Sequence, residues 1–156
     1  MSKDITKRIK TFGDACEVLG NEHPYVKEYL NIVNININIT QDLISYLKLR
    51  IITEALNDGW KPIFDEDEYH YYPWFFTYTK EEYDSLDEDE KKKCRIPPQL
   101  DNRDDINASD LEYVYAGFAG SYSYSSSGVR LTFKTKELAK YCGEQFIDIW
   151  IDFLFK

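Results

Sequence analysis

Apolar residues at the start of the chain follow the spacing of an amphipathic helix. They recur at every third or fourth position, at Ile5, Ile9, Phe12, Cys16 and Leu19. Such spacing places side chains on one helix face. Thr11 and Asp14 are residue types favoured at a helix N-cap and in a first turn, so the stripe predicts two short helices that meet near Thr11. Pro24 begins a further predicted helix, because proline is favoured at the first helical position.

Residues 34–39 alternate strictly between asparagine and isoleucine. This period of two predicts a strand with its isoleucines on one side. Because asparagine is a poor strand former, a linker between two helices is the alternative interpretation.

Two longer amphipathic segments predict the main helices of the fold. Residues 40–57 carry an apolar arc so broad that it requires burial against more than one neighbour. Residues 135–155 carry a second apolar stripe, at Leu138, Cys142, Phe146 and Phe153. Residues 147–155 also alternate in period two, which leaves a terminal strand as the alternative. A helix is favoured there because the stripe continues from Leu138 without a helix breaker.

Aromatic and β-branched residues concentrate in further segments that predict a sheet. Residues 69–78 are almost wholly aromatic, and Pro73 places that strand at a sheet edge or interrupts it. Residues 111–124 hold tyrosines in period two, and residues 129–133 also alternate. A serine-glycine turn separates these last two segments, so together they predict an antiparallel hairpin.

Residues 79–110 differ from the rest of the chain and predict an insertion. Capping-box patterns predict a charged helix that reaches about Lys93, and a proline-marked loop follows it. With this insertion, residues 1–156 are expected to form a single domain. The expected fold class is α+β, with helices packed on one face of a small antiparallel β-sheet.

Length and charge narrow the class of protein. A chain of 156 residues fits one domain, and its 16% of aromatic residues argue against a disordered chain. The net charge of −9 argues against a basic nucleic-acid binder. We expect no membrane span and no secretory signal peptide, because no apolar run is long enough for either. The cysteines Cys16, Cys94 and Cys142 are odd in number and widely spaced, which indicates a reducing compartment.

No pattern in the sequence identifies a catalytic, metal or cofactor site. The acidic turn at residues 65–68, beside His70, lacks the spacing of a calcium loop, so a solvated turn is favoured over a cation site. His70 could act as a general base with Cys16 or Cys142 as nucleophile, but neither thiol lies in a cysteine-protease signature. We therefore assign no catalytic residue, no metal ligand and no cofactor.

The tyrosines and tryptophans of the predicted sheet form the candidate binding surface. They are Tyr69, Tyr71, Tyr72, Trp74, Tyr113, Tyr115, Tyr122 and Tyr124. Packing of the sheet onto the helices is the simplest explanation for such residues, and anchoring of a protein interface is the functional one. Stacking on single-stranded nucleic acid is a further alternative, but it requires a cationic groove and this neighbourhood is acidic.

The acidic residues around this surface form a second candidate feature, the acidic face. They are Asp65, Glu66, Asp67, Glu68, Asp87, Glu88, Asp89 and Glu90. Ordered carboxylates on an exposed helix could imitate a nucleic-acid backbone and occupy the basic groove of an enzyme. A solubilising surface is the simpler interpretation of the same residues.

Parts of the chain resemble a family of small uncharacterised proteins found in phages and prophages of Bacteroidetes, including gut phages. The runs that carry the resemblance are Asn57-Asp58-Gly59-Trp60-Lys61-Pro62, Tyr71-Tyr72-Pro73-Trp74-Phe75 and Gly128-Val129-Arg130-Leu131-Thr132-Phe133. The resemblance implies a phage-derived origin and a setting in the host cytoplasm or the virion. It implies no mechanism.

The function predicted from the sequence is that of a non-enzymatic phage accessory protein. It would act by binding a host or phage protein, either to modulate the host or as part of the virion. The alternatives are a single-stranded nucleic-acid-binding protein that uses exposed aromatics, and an acidic nucleic-acid mimic that inhibits a host enzyme.

Overall fold

The computed structural model describes residues 4–35, 38–63, 69–77, 84–93, 109–110 and 129–156. Its α-helices are α1 (Phe12–Leu19), α2 (Pro24–Asn34), α3 (Gln41–Asn57), α4 (Glu88–Lys93), α5 (Lys136–Gln145) and α6 (Ile147–Phe155). Short 3₁₀ turns lie at Ile5–Lys7 and Val129–Leu131. The strands are β1 (Phe76–Thr77) and β2 (Ser109–Asp110), which pair antiparallel.

Helix α3 is the centre of the described fold. It contacts α1, α2, α5 and α6, as the breadth of its apolar arc predicts. Its core residues are at most 4% exposed: Leu47, Leu49, Ile51, Ile52, Ala55 and Leu56. The helix predicted over residues 40–57 is therefore confirmed, with Thr40 immediately before its first residue.

The predicted α+β fold class is wrong, because the part of the chain that the structure describes is mostly helical. There, strand pairing is limited to β1 with β2 and an isolated antiparallel bridge between Tyr71 and Phe133. The predicted strand at residues 129–133 begins instead as a 3₁₀ turn. Leu131, Thr132 and Phe133 are all buried, at 0%, 3% and 0% exposure. A segment buried on all sides does not have the single apolar face that period two assumed.

The other segments of the predicted sheet have different outcomes. Residues 111–128, which include the first strand of the hairpin and its turn, lie outside the described residues. Of the two alternatives expected at Pro73, the interruption is observed: within residues 69–77, the described part of the aromatic segment, the strand is limited to Phe76 and Thr77.

The strand predicted over residues 34–39 is also wrong in its described part. Helix α2 continues to Asn34, and residues 38–40 have no regular structure. Ile35 is 52% exposed, so its side chain does not join a buried face. The alternative of a connection between two helices agrees with these observations.

The C-terminal segment is helical, as predicted, but it divides into two helices at Phe146. Ile147, Trp150 and Ile151 are buried in α6, which is the three-and-four spacing of a helix rather than the alternation of a strand. The break lets α6 lie against α3. There the Gln41 side chain donates to the Asp152 carboxylate at 3.0 Å.

A capping box starts α1, which confirms the predicted joint near Thr11. The Thr11 hydroxyl accepts from the Asp14 backbone N–H at 3.1 Å. In return, the Asp14 carboxylate accepts from the backbone N–H groups of Thr11 and Lys10, both at 2.8 Å. These two hydrogen bonds stabilise the ionised carboxylate and so lower the pKa of Asp14 below its usual value of 3.8. The bond from the Lys10 N–H has the larger effect.

We expect Asp14→Asn to remove a pH-dependent part of the stability. Because the pKa of Asp14 is lower in the folded state, the ionised carboxylate stabilises the fold at any pH above 3.8. That contribution disappears as the pH falls through the folded-state pKa. Urea unfolding midpoints of the parent and the variant should therefore differ at neutral pH and converge in acid. A difference that is the same at both pH values would contradict this role.

Candidate binding site

The segment of residues 69–75 alternates irregularly between buried and exposed side chains. His70 is 2% exposed and Pro73 is fully buried. Tyr69 and Trp74, in contrast, are 57% and 48% exposed. Tyr71 and Tyr72 are half-buried.

Contacts on the buried side hold this segment in place. Tyr71 and Phe133 exchange two backbone hydrogen bonds, of 3.1 and 2.6 Å. The Phe75 ring lies 5.5 Å from the ring of Trp150, which is fully buried between the helices. The segment is thus attached to the core on both sides of Trp74, and its exposed aromatics project from a fixed backbone.

The structure separates the predicted aromatic residues into groups. Tyr69 and Trp74 lie at the surface, and Tyr71 and Tyr72 are partly used in packing. The remaining members, Tyr113, Tyr115, Tyr122 and Tyr124, lie outside the described residues. The sequence could not distinguish the exposed aromatics from the packed ones, because both kinds lie in the same aromatic run.

The described part of the acidic face lies at the start of α4. Asp87, Glu88 and Asp89 are exposed, and Glu90 is half-buried. The Asp87 carboxylate accepts from the backbone N–H groups of Asp89 and Glu90, at 2.9 and 2.8 Å, and the Glu90 carboxylate accepts from the Asp87 N–H at 3.0 Å. Two of these acids therefore cap α4. The residues Asp65, Glu66, Asp67 and Glu68 lie outside the described residues.

A cavity of about 300 Å³ opens beside the aromatic segment. Its lining residues are Tyr25, Thr53, Glu54, Asn57, Trp60, Lys61, Pro62, Arg130 and Thr132. The two features adjoin, because the Trp60 ring lies 5.8 Å from the His70 ring, edge to face. Sequence reasoning missed this cavity, since its walls come from segments that are far apart along the chain.

Hydrogen bonds and ring contacts fix the walls of the cavity. The Asn57 side chain donates to the Thr132 carbonyl at 2.8 Å and accepts from the Lys134 N–H at 3.1 Å. At Tyr25, another lining residue, the guanidinium of Arg50 lies 4.1 Å from the centre of the ring. The same guanidinium pairs with Glu28 at 2.9 Å. A buried cation therefore helps to hold the Tyr25 ring in place.

The residues considered for cysteine chemistry do not form an activated pair. Cys142 is fully buried, and burial raises the pKa of its thiol to about 12. Burial also raises the pKa of the half-buried Cys16 thiol. An activated nucleophile needs the opposite shift, toward the thiolate. No cluster of three His, Cys, Asp or Glu side chains that could hold a metal occurs among the residues the structure describes.

Comparison with protein-family models, curated proteins and solved structures finds no match to this chain. Within the described ranges, no helix combines the length and the apolar character needed to cross a membrane.

Proposed function

We propose that this is a non-enzymatic accessory protein that binds another protein through the surface centred on Tyr69 and Trp74. The observation that supports this is the exposure of both aromatics on a segment whose neighbours are buried. Aromatic side chains that are held in place lose little conformational entropy on binding, so they are effective interface anchors.

The proposed setting is a phage-infected or prophage-carrying Bacteroidetes cell. The resemblance of the 57–62, 71–75 and 128–133 runs to phage proteins supports this origin. A partner in the host cytoplasm or in the virion is part of the same proposal. A nucleic-acid ligand is the alternative that the experiment below distinguishes.

The Trp74→Ala variant is expected to bind the partner protein much more weakly than the parent protein does. The immobilised protein would capture proteins from a nuclease-treated lysate of an infected Bacteroidetes host, and mass spectrometry would quantify them. With the captured partner purified, calorimetry should show at least about thirtyfold weaker binding, as is usual for a central aromatic anchor.

Leu43→Ala is the matched control, because Leu43 is similarly exposed, at 43%, but lies on α3. This control should capture the same partner as the parent protein. Equal capture by parent and Trp74→Ala, or capture of nothing specific, would refute the proposal. Capture that occurs from an untreated lysate of the same host but not from the nuclease-treated one would instead support nucleic-acid binding as the function.

A further inference from the structure

Helix α2 is capped by a histidine ring, in place of the hydroxyl or carboxylate that is more common at this position. His23 Nδ1 accepts a hydrogen bond from the backbone N–H of Tyr25 at 3.3 Å. A ring nitrogen can accept a hydrogen bond only while it carries no proton. The cap therefore requires the neutral imidazole, with its proton on Nε2.

The other nitrogen of the same ring faces a carboxylate on α3. His23 Nε2 lies 3.8 Å from Glu54 Oε1, and that oxygen also accepts from the Lys61 ammonium group. The imidazole and the carboxylate are 23% and 16% exposed, so water screens their interaction less than that of a fully exposed pair. Glu54 is thus a second partner for the ring, and a charged imidazole would interact with it more strongly than a neutral one.

A second proton on the His23 ring changes which of these two contacts is favourable. Protonation places a hydrogen on Nδ1, so that Nδ1 and the Tyr25 N–H become two donors that face each other. The positive charge also lies at the N-terminal end of α2, where the helix dipole disfavours cations. The Glu54 carboxylate, in contrast, attracts the imidazolium. Protonation therefore weakens the cap and strengthens the contact with α3.

The other charged groups of this neighbourhood are held in ion pairs. The pairs are Glu22 with Lys27 at 2.6 Å, Arg50 with Glu28 at 2.9 Å, and Lys61 with Glu54. The last pair uses the same Glu54 oxygen that faces His23. Lys61 is therefore the cation with which an imidazolium competes for Glu54.

We propose that His23 is a proton switch at the start of α2. The neutral ring caps the helix, and the protonated ring releases the Tyr25 N–H and pairs with Glu54. Histidine ordinarily changes its charge between pH 8 and pH 5, so the exchange responds to mild acid. Tyr25 lines the cavity, and its ring lies 5.3 Å from the His23 ring, edge to face. The switch therefore also loosens one wall of the cavity.

Nuclear magnetic resonance of the ¹⁵N-labelled full chain tests the switch. At pH 8 the His23 ring nitrogens should show the tautomer with its proton on Nε2. Between pH 8 and pH 5 the Tyr25 amide proton should move upfield in step with the ring resonances. The Lys27 amide donates to the His23 carbonyl at 3.0 Å, in the first turn of α2. Its protection factor against hydrogen exchange should fall about fivefold when the cap is lost.

His23→Asn is the matched control, because asparagine caps helices well and does not titrate. Its Tyr25 and Lys27 amides should not respond between the same two pH values. Glu54→Gln removes the carboxylate, so the Tyr25 shift should begin at a lower pH than in the parent protein. Glu137→Gln changes an exposed acid on α5 and should leave the shift in place.

Four results would overturn the proposal. One is a His23 ring that carries its proton on Nδ1 at pH 8. Another is a Tyr25 amide that does not move when His23 gains its proton, and a third is the same pH response in His23→Asn. The last is a Tyr25 shift that begins at the same pH in Glu54→Gln as in the parent protein.

Discussion

Replacing Trp150 by alanine is expected to lower the free energy of unfolding by about 3–5 kcal/mol. Trp150 is fully buried, and its ring contacts those of Phe75 and Phe153 at centroid distances of 5.5 and 6.1 Å. Its removal leaves a cavity at the point where α6 meets the aromatic segment. Such a loss is a large part of the stability of an ordinary domain, about 5–15 kcal/mol. Urea unfolding followed by circular dichroism measures it.

Trp74→Ala provides the matched control for this change. The same side chain is removed, but from a position that is 48% exposed, so we expect a loss of about 1 kcal/mol or less. Trp150→Phe keeps much of the ring and should lie between the two variants. Equal destabilisation by the two alanine variants would show that Trp150 is not part of the core as described.

Asn57→Ala is expected to destabilise the protein by roughly 2–4 kcal/mol. The side chain is 7% exposed and joins the end of α3 to the Thr132 carbonyl and the Lys134 N–H. Alanine leaves both groups without this partner, and a buried group that loses its hydrogen bond destabilises the fold by about 1–3 kcal/mol. Equilibrium urea unfolding again provides the measurement.

An exposed asparagine in a helix separates this effect from helix propensity. Asn31 lies on α2 and is exposed, so Asn31→Ala should change stability by no more than about 0.5 kcal/mol. If Asn57→Ala also changes the free energy of unfolding by no more than this, the two hydrogen bonds make no net contribution to stability.

The helices could be predicted from the sequence, but their connections and the sheet could not. The apolar arc of α3 and the apolar stripe from Leu138 onward both recur with the period of a helix, and both segments are helical in the structure. The break at Phe146 has no glycine or proline to mark it. The predicted sheet depended on aromatic and β-branched content, and such residues are equally suited to packing between helices. Leu131 and Phe133 are examples, because both are buried in the core that the helices form.

The candidate site was predictable only in part. The sequence identified Tyr69 and Trp74 as members of an aromatic run, but not that His70 and Pro73 between them are buried. That difference is set by contacts with distant residues such as Phe133. The cavity was beyond prediction for the same reason, because residues as far apart as Tyr25 and Arg130 line it.

The central position of α3 has a consequence for the order of assembly during synthesis. Helices α1 and α2 can pack on α3 as soon as residues up to 57 have left the ribosome, because these contacts are local. The part of α3 that α6 covers stays exposed until α6, about ninety residues later, has been made. Throughout that interval the nascent chain carries an exposed apolar helix face. Chaperone binding should therefore be strongest for chains arrested between residues 57 and 147.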